Sequence, residues 1–225
     1  MKTLTPLLLG LSLAAAACNN APPVPVQEPG KGTPDAVPAP VAAAGAKVGA
    51  PAPDFTLTDY DGKSVHLADL KGKTVVLEWF NPDCPFVKAS HTKGSLRDSA
   101  KRHAAEGVVW LGVNSSAPGK QGNAPDRVAA GKQAFGIDHP ILVDATGQVG
   151  RLYGATNTPH LYVIDPRGNL VYRGAIDNSP DGEGDSPEGG KLINYVDTAL
   201  SELAAGKPIT TKETKAYGCG VKYGS

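Results

Sequence analysis

Cysteine is scarce in this chain of 225 residues, which holds only three. That number is too small for a disulfide-dense miniature scaffold, and it excludes a tetrahedral zinc site with four cysteine ligands. Net charge is missing too, because 22 Lys and Arg balance 22 Asp and Glu. A nucleic-acid binder working through a general basic field is therefore excluded, and nothing favours electrostatic docking on an anionic membrane. Aromatic residues make up 6% of the chain and apolar residues 40%, lean for a compact enzyme. No glycine-rich nucleotide-binding fingerprint occurs, so no bound nicotinamide or flavin is expected.

Some segments carry addresses rather than a core. Met1 and Lys2 open the chain with a positive charge, and residues 4–17 are free of charge and rich in Leu and Ala. Fourteen residues fall short of the roughly 20 that span a bilayer, but they suit the apolar region of a signal peptide. The stretch ends in Ala15-Ala16-Ala17-Cys18, which resembles the lipobox of bacterial lipoproteins, with Ala15 where Leu is usual. That resemblance implies that Cys18 becomes the lipidated first residue of the mature protein. An ordinary secretory signal cut near the same alanines is the other reading. With Asn19 and Asn20 following and no Asp at the second position, the family's sorting rule points to the outer membrane. Residues 21–40 hold seven Pro and no aromatic residue, the composition of an extended tether. The expected organisation is a signal over 1–18, a linker over 19–46, a domain over 47–206 and a polar tail over 207–225.

Within the domain, residues 54–57 read as a short strand and Asp61-Gly62-Lys63 as a turn. The continuous β-prone runs 74–80 and 108–113 suit strands covered on both faces. A helix is expected over 85–106, closed by Gly107, and another over 125–135 with Pro125 in its first turn. Strands over 141–143, 161–164 and 170–176 follow, the last two joined by the hairpin turn Asp165-Pro166-Arg167-Gly168-Asn169. A short helix over 148–153 lies between them. A helix over 192–205 closes the order, with Leu192, Val196, Leu200 and Leu203 on one face. The whole predicts an α/β sandwich around a mixed central sheet.

Chemistry concentrates where the strand over 74–80 ends in Asn81-Pro82-Asp83-Cys84-Pro85 and a helix begins. A Cys there faces the unpaired N–H groups and the positive end of the helix, and both favour the reactive thiolate. Together with Asn157-Thr158-Pro159-His160 ahead of the strand over 161–164, this segment resembles the thioredoxin fold. The resemblance puts Cys84 on the nucleophilic Cys of the Cys-x-x-Cys motif and Val87 where its partner would stand. It also implies a cis Thr158–Pro159 bond whose backbone faces Cys84 and binds substrate. Cys84-Pro85-Phe86-Val87-Lys88, Tyr172-Arg173-Gly174-Ala175-Ile176-Asp177 and Gly218-Cys219-Gly220-Val221-Lys222-Tyr223 are similar to the peroxiredoxin-like redoxins of the AhpC/TSA-like branch. In that branch, Asn81 stands where Thr or Ser binds the peroxide, and Arg151 and Arg173 are candidates for the assisting arginine.

A second thiol must come from elsewhere. Cys219 lies about thirteen residues past the last expected helix, and an extended tail of that length reaches some ~40 Å, against a domain radius of gyration near ~15 Å. It is expected to resolve a mixed disulfide or sulfenic acid on Cys84; a static Cys84–Cys219 staple, or no pairing, are the other readings. His91, His139 and His160 raise a copper-delivery alternative, although Val87 removes the second thiol such a site uses. Asp177, Ser179, Asp181, Asp185 and Glu188 have the spacing of a calcium loop, but a strand leads in and Gly184 stands at an apolar position, so a solvated acidic loop is expected. The function expected is that of an exported thiol oxidoreductase acting on a hydroperoxide or a protein disulfide, reduced by a periplasmic thiol protein. It would touch the membrane through its lipid anchor only and bind no nucleic acid, metal or cofactor. A non-catalytic binding module on the same fold is the competing class.

Overall fold

A strand buried on both faces is expected to be apolar on both, and β3 (Val75–Trp79), fully buried as Val-Val-Leu-Glu-Trp, is so at every position but Glu78. The computed structural model describes residues 45–225, so the expectations for Cys18, the signal stretch and the tether up to residue 44 lie outside the described residues. β3 runs parallel to β4 (Val109–Asn114) on one side and antiparallel to β7 (Leu161–Ile164) on the other. β5 (Ile141–Val143) extends the parallel part, and β1 (Thr56–Asp59) and β2 (Ser64–His66) continue it antiparallel. At the opposite edge β8 (Leu170–Gly174) pairs with β7 through the expected hairpin. The order β2-β1-β5-β4-β3-β7-β8 is the mixed central sheet of the thioredoxin-like fold that the sequence implies.

Alternate residues of β3 enter different cores. Val75, Leu77 and Trp79 pack with Phe55, Leu111, Val113 and Tyr162, under Val149 and Tyr153 of α4 (Gln148–Tyr153). Val76 faces the other side, with Leu161, Val163 and Tyr172, under Val196, Ala199 and Leu200 of α5 (Tyr195–Ala204). A smaller cluster joins Phe80, Cys84 and Val87 to Val128, Ile137 and Ile141, between α1 (Pro85–Thr92), α3 (Pro125–Phe135) and the sheet.

Two helices depart from expectation. The single helix over 85–106 is two, α1 and α2 (Ser99–Ala104), separated by a turn in which Asp98 has a left-handed φ of 56°. The cause is remote in sequence: a Cβ on Gly94 would lie 2.2 Å from the carbonyl oxygen of Gly182, so the loop after β8 presses on the end of α1. Leu96, within the break, turns inward and is buried in the second core. The last helix starts at Tyr195 rather than 192, because the Asn194 side chain accepts the N–H of Asp197 and caps it. Leu192 therefore stands exposed ahead of the helix and does not join the face of Val196 and Leu200.

The polar tail is bound along its length. Ile209 enters the second core, Thr214 bonds to Arg173 and Ala175, and β9 (Cys219–Gly220) pairs antiparallel with β6 (Asn157–Thr158). Ile209→Ala should therefore lower the unfolding free energy by about 2–5 kcal/mol, the usual range for emptying a buried Ile site. Urea denaturation measures it, and a change below about 0.5 kcal/mol, as for a surface site, would show the tail to be a loose appendage.

Candidate functional site

The turn carrying Cys84 is fixed by the amide of Asn81. Its Oδ1 accepts the N–H of Asp83 at 2.9 Å, and its Nδ2 donates to the Ser116 hydroxyl at 3.4 Å and the Gln121 carbonyl at 3.1 Å. Both amide ends are thus engaged, so Asn81 shapes the turn and offers no free donor to a substrate, unlike the role its sequence position suggests. The loop after β4 closes over this amide. A Cβ on Gly122, whose φ is +79°, would fall 2.1 Å from Asn81 Oδ1, so only Gly fits there.

Cys84 is the N-cap residue of α1, and Pro85 occupies the first turn, where its missing N–H costs nothing. No side chain caps this helix end. The Cys84 thiol donates to the carbonyl of Thr158 at 3.0 Å and is 1% exposed. Only a protonated thiol makes that bond; the thiolate must turn toward the free N–H groups of the first turn. The Thr158–Pro159 bond is cis, as expected. The Thr158 hydroxyl is buried and has no hydrogen-bond partner among the described residues.

β9 brings the second thiol to this point. In the β6–β9 pair Cys219 stands opposite Thr158, and it packs against the cluster that holds Cys84. Burial, and after it the neighbouring Cys84 sulfur, push the Cys219 pKa above its ordinary value, so this thiol stays protonated at neutral pH. Both thiols are free. Val87 is fully buried in α1, so no second thiol stands on the helix itself.

Cys84 lies at the base of an open depression of about 470 Å³ lined by Pro82, Asp83, Pro85, Lys88, Gln121 and Arg127. Arg127 pairs with Asp83 there. Neither candidate arginine from the sequence faces it. Arg151 bonds to Thr146 and Gly224 and stacks on Tyr223, while Arg173 pairs with Glu213. The expected solvated acidic loop holds for Asp185 and Glu188, which are exposed, but not for Asp177, which is buried and accepts the hydroxyls of Ser95 and Tyr217. Among the described residues no group of three or more His, Cys, Asp or Glu could hold a metal.

Sequence reasoning missed the buried pair beneath α1. Glu78, fully buried, accepts from His91 Nε2 at 2.7 Å and from Trp110 Nε1 at 3.1 Å. Burial alone would raise its pKa, but the His91 charge and hydrogen bond, with His139 and Trp110, outweigh that and hold it below the usual range. A Glu inside an otherwise apolar strand was the available signal, since a buried carboxylate demands partners. His91→Ala should cost about 3–5 kcal/mol by stranding Glu78, while Glu78→Leu with His91→Leu should cost less than the single change. Chemical denaturation of both variants decides it; equal losses would contradict a desolvated pair.

His139 and His160 are driven by burial to pKa values of about 4, against an ordinary 6.5. Their folded values lie below the unfolded ones, so the unfolded chain takes up protons that the fold refuses. Stability should be complete above pH ~6.5 and decline toward pH ~4, by up to about 1.4 kcal/mol per pH unit for each group. Urea midpoints measured across that range test it, and a flat profile would contradict neutral buried rings.

Residues 47–192 match the family described as Redoxin. The thiol-disulfide oxidoreductase ResA of Bacillus subtilis (strain 168) is 29% identical over 123 residues, 55% of this chain and 64% of that protein. The match spans slightly less than two thirds of the length of ResA relatives. A Mycobacterium tuberculosis protein provisionally named as a peroxiredoxin is 30% identical over 132 residues, covering 53% of this chain and 79% of its own. Among solved structures, an uncharacterized conserved protein from Geobacillus kaustophilus superposes with a TM-score of 0.68 at 29% identity, over 79% of this chain and 93% of that one. The hypothetical protein SMc02350 from Sinorhizobium meliloti 1021 gives 0.67 at 28% identity, over 80% and 96%.

Proposed function

This chain belongs to the Redoxin family, and on that footing we propose that it is an exported thiol oxidoreductase in which Cys84 is the nucleophile and Cys219 the resolving thiol. The observation that carries the reading is the position of Thr158, whose carbonyl accepts the Cys84 thiol and whose backbone pairs with Cys219. One thiol stands at a helix N-terminus and the other is held neutral, an asymmetry that suits attacker and resolver.

With a hydroperoxide, the Cys84 thiolate attacks the distal oxygen; an S–O bond forms, the O–O bond breaks and an alcohol leaves after protonation. Thr158, whose buried hydroxyl has no partner among the described residues and whose carbonyl faces the sulfur, is assigned with Pro159 to substrate contact. Cys219 then attacks the sulfenic sulfur, and hydroxide leaves with the Cys219 proton as water. With a disulfide, Cys84 forms a mixed disulfide and Cys219 displaces the second thiol. Both routes end in a Cys84–Cys219 bond, which a dithiol protein reduces by exchange. The ResA relatives are named for thiol-disulfide exchange, which supports the disulfide route; the peroxide route is carried by the motif resemblance and by the name of one Mycobacterium tuberculosis relative. No cofactor enters either route.

The N-terminal signal and Cys18 support lipid anchoring on the periplasmic side of the outer membrane, with a periplasmic thiol carrier as reductant. Among the described residues no helix is long and apolar enough to cross a membrane.

In the full chain with Cys18→Ser, one equivalent of hydrogen peroxide or of a small disulfide should remove both remaining thiols, and dithiothreitol should restore them. With Cys219→Ser added, peroxide should leave a sulfenic acid on Cys84 that dimedone traps. Thiols that survive a slight excess of both oxidants, or a bond that dithiothreitol does not open, would defeat the reading.

A further inference from the structure

β6 carries the reacting site on its backbone, and among the described residues its strand partner is the chain's own tail. Asn157 faces Gly220 and Thr158 faces Cys219 in the register. The Val221 N–H donates to the Thr156 carbonyl at 3.1 Å, and Asn157 Nδ2 donates to the Gly218 carbonyl at 3.1 Å. Further bonds fix the tail on both sides of Cys219. Before it, the Tyr217 hydroxyl donates to Asp177 at 2.8 Å. After it, the Lys222 carbonyl accepts the Ala117 N–H at 2.9 Å, and the Tyr223 hydroxyl donates to the Ala155 carbonyl at 2.8 Å.

An unpaired strand edge beside a reactive thiol is a template for any extended polypeptide. Here the place one strand spacing from β6, about 4.8 Å away, is already filled. The strand that fills it presents its own cysteine to Cys84, as a bound disulfide-bearing peptide would. We propose that β9 is a built-in occupant of the docking edge, so that the closed protein takes a small oxidant and refuses a protein disulfide until β9 lifts away. The inference rests on the reading of Cys84 as nucleophile and narrows its oxidising substrate.

Access for a small molecule does not depend on β9. The depression over Cys84 is lined by residues of the Cys84 turn, α1, α3 and the loop after β4, and by none of the tail. At about 470 Å³ it lies within the size range of small-molecule sites. Cys84 is itself a lining residue there, and a hydroperoxide or low-molecular-weight disulfide would approach this 1%-exposed residue from that side. A protein disulfide arrives with chain on both sides of its sulfur and has to compete with a tethered strand.

Gly218 is what lets the tail lie so close. Its φ is +104°, and a Cβ there would sit 2.4 Å from the Thr158 carbonyl oxygen. Gly218→Ala therefore forces β9 and the Thr158 carbonyl apart, and none of the atoms that Cβ would meet belongs to a residue lining the depression.

The test uses the full chain with Cys18→Ser and Cys219→Ser, so that products stop at the mixed disulfide: the Cys84 thiolate forms one S–S bond, the probe's S–S bond breaks, and one thiolate leaves. Dipyridyl disulfide is the small probe and native insulin the protein probe, with adducts counted by mass. Adding Gly218→Ala should raise the insulin rate on the order of tenfold and change the dipyridyl disulfide rate less than about twofold, because the competent edge is freed while the mouth is not. Asn157→Ala, which removes a single side-chain bond to the tail, should move the insulin rate in the same direction by a smaller factor, and it serves if Gly218→Ala does not fold. Equal changes for both probes, or no change for insulin in the folded variants, would overturn the occupant role. In the Cys18→Ser chain that keeps Cys219, Cys84→Ser should react with both probes at least about tenfold more slowly than Cys219→Ser does; an equal or faster rate would overturn the assignment of Cys84 instead, whatever the tail does.

Discussion

Thr158 takes the Cys84 thiol on its carbonyl and stands opposite Cys219 in the β6–β9 register, and the site depends on keeping it there. Its amide plane is turned by the cis bond to Pro159, and its strand holds the tail that brings Cys219. None of these contacts would hold alone. A two-residue strand pair is marginal, so β6–β9 depends on the anchors at Ile209, Thr214, Tyr217 and Tyr223 that spread the tail over the domain. On the proposed reading, the cysteine that the helix lacks at Val87 is supplied by Cys219 on the bound tail.

On the Cys84 side the rigidity is polar. Asn81 commits its whole amide to the turn, and Gly122 lets the covering loop come within reach of it. Under the helix, the Glu78–His91 pair ties β3 to α1 through a desolvated contact. Such a pair contributes little net stability but is costly to break on one side, so it fixes where the helix sits more than how strongly it is held. A nucleophile at a helix start gains from that arrangement, because its approach geometry is inherited from β3 and the turn rather than from a mobile loop.

Local chemistry made parts of this site legible from sequence. Cys84-Pro85 after a buried strand and Thr158-Pro159 before another are short motifs whose meaning lies in adjacent residues, and the fold class followed from unbroken apolar runs bounded by turns. What escaped was set by distant neighbours. The end of α1 meets Gly182 at Gly94, and Asn81, given a substrate contact by the redoxin resemblance, spends its amide on Ser116 and Gln121 far along the chain. Arg127 reaches the depression over Cys84 from α3, whereas Arg151 and Arg173, nearer the recognised motifs, point to the tail. The tail itself reads as polar and loose in sequence because it is held largely by backbone bonds, side-chain caps and glycines, which leave no hydrophobic pattern. Cys219 packs against the cluster that holds Cys84, a distance the length of the tail allows, but its register opposite Thr158 is a tertiary fact.

Equilibration of the full chain against graded glutathione redox buffers, with alkylation to map each thiol, bears most directly on the Cys84–Cys219 couple. The two thiols should disappear together in one reversible two-electron transition, with a midpoint above about −300 mV, in the range of exchanging rather than structural disulfides. Independent titration of the two cysteines, or a bond still closed below that potential, would contradict it.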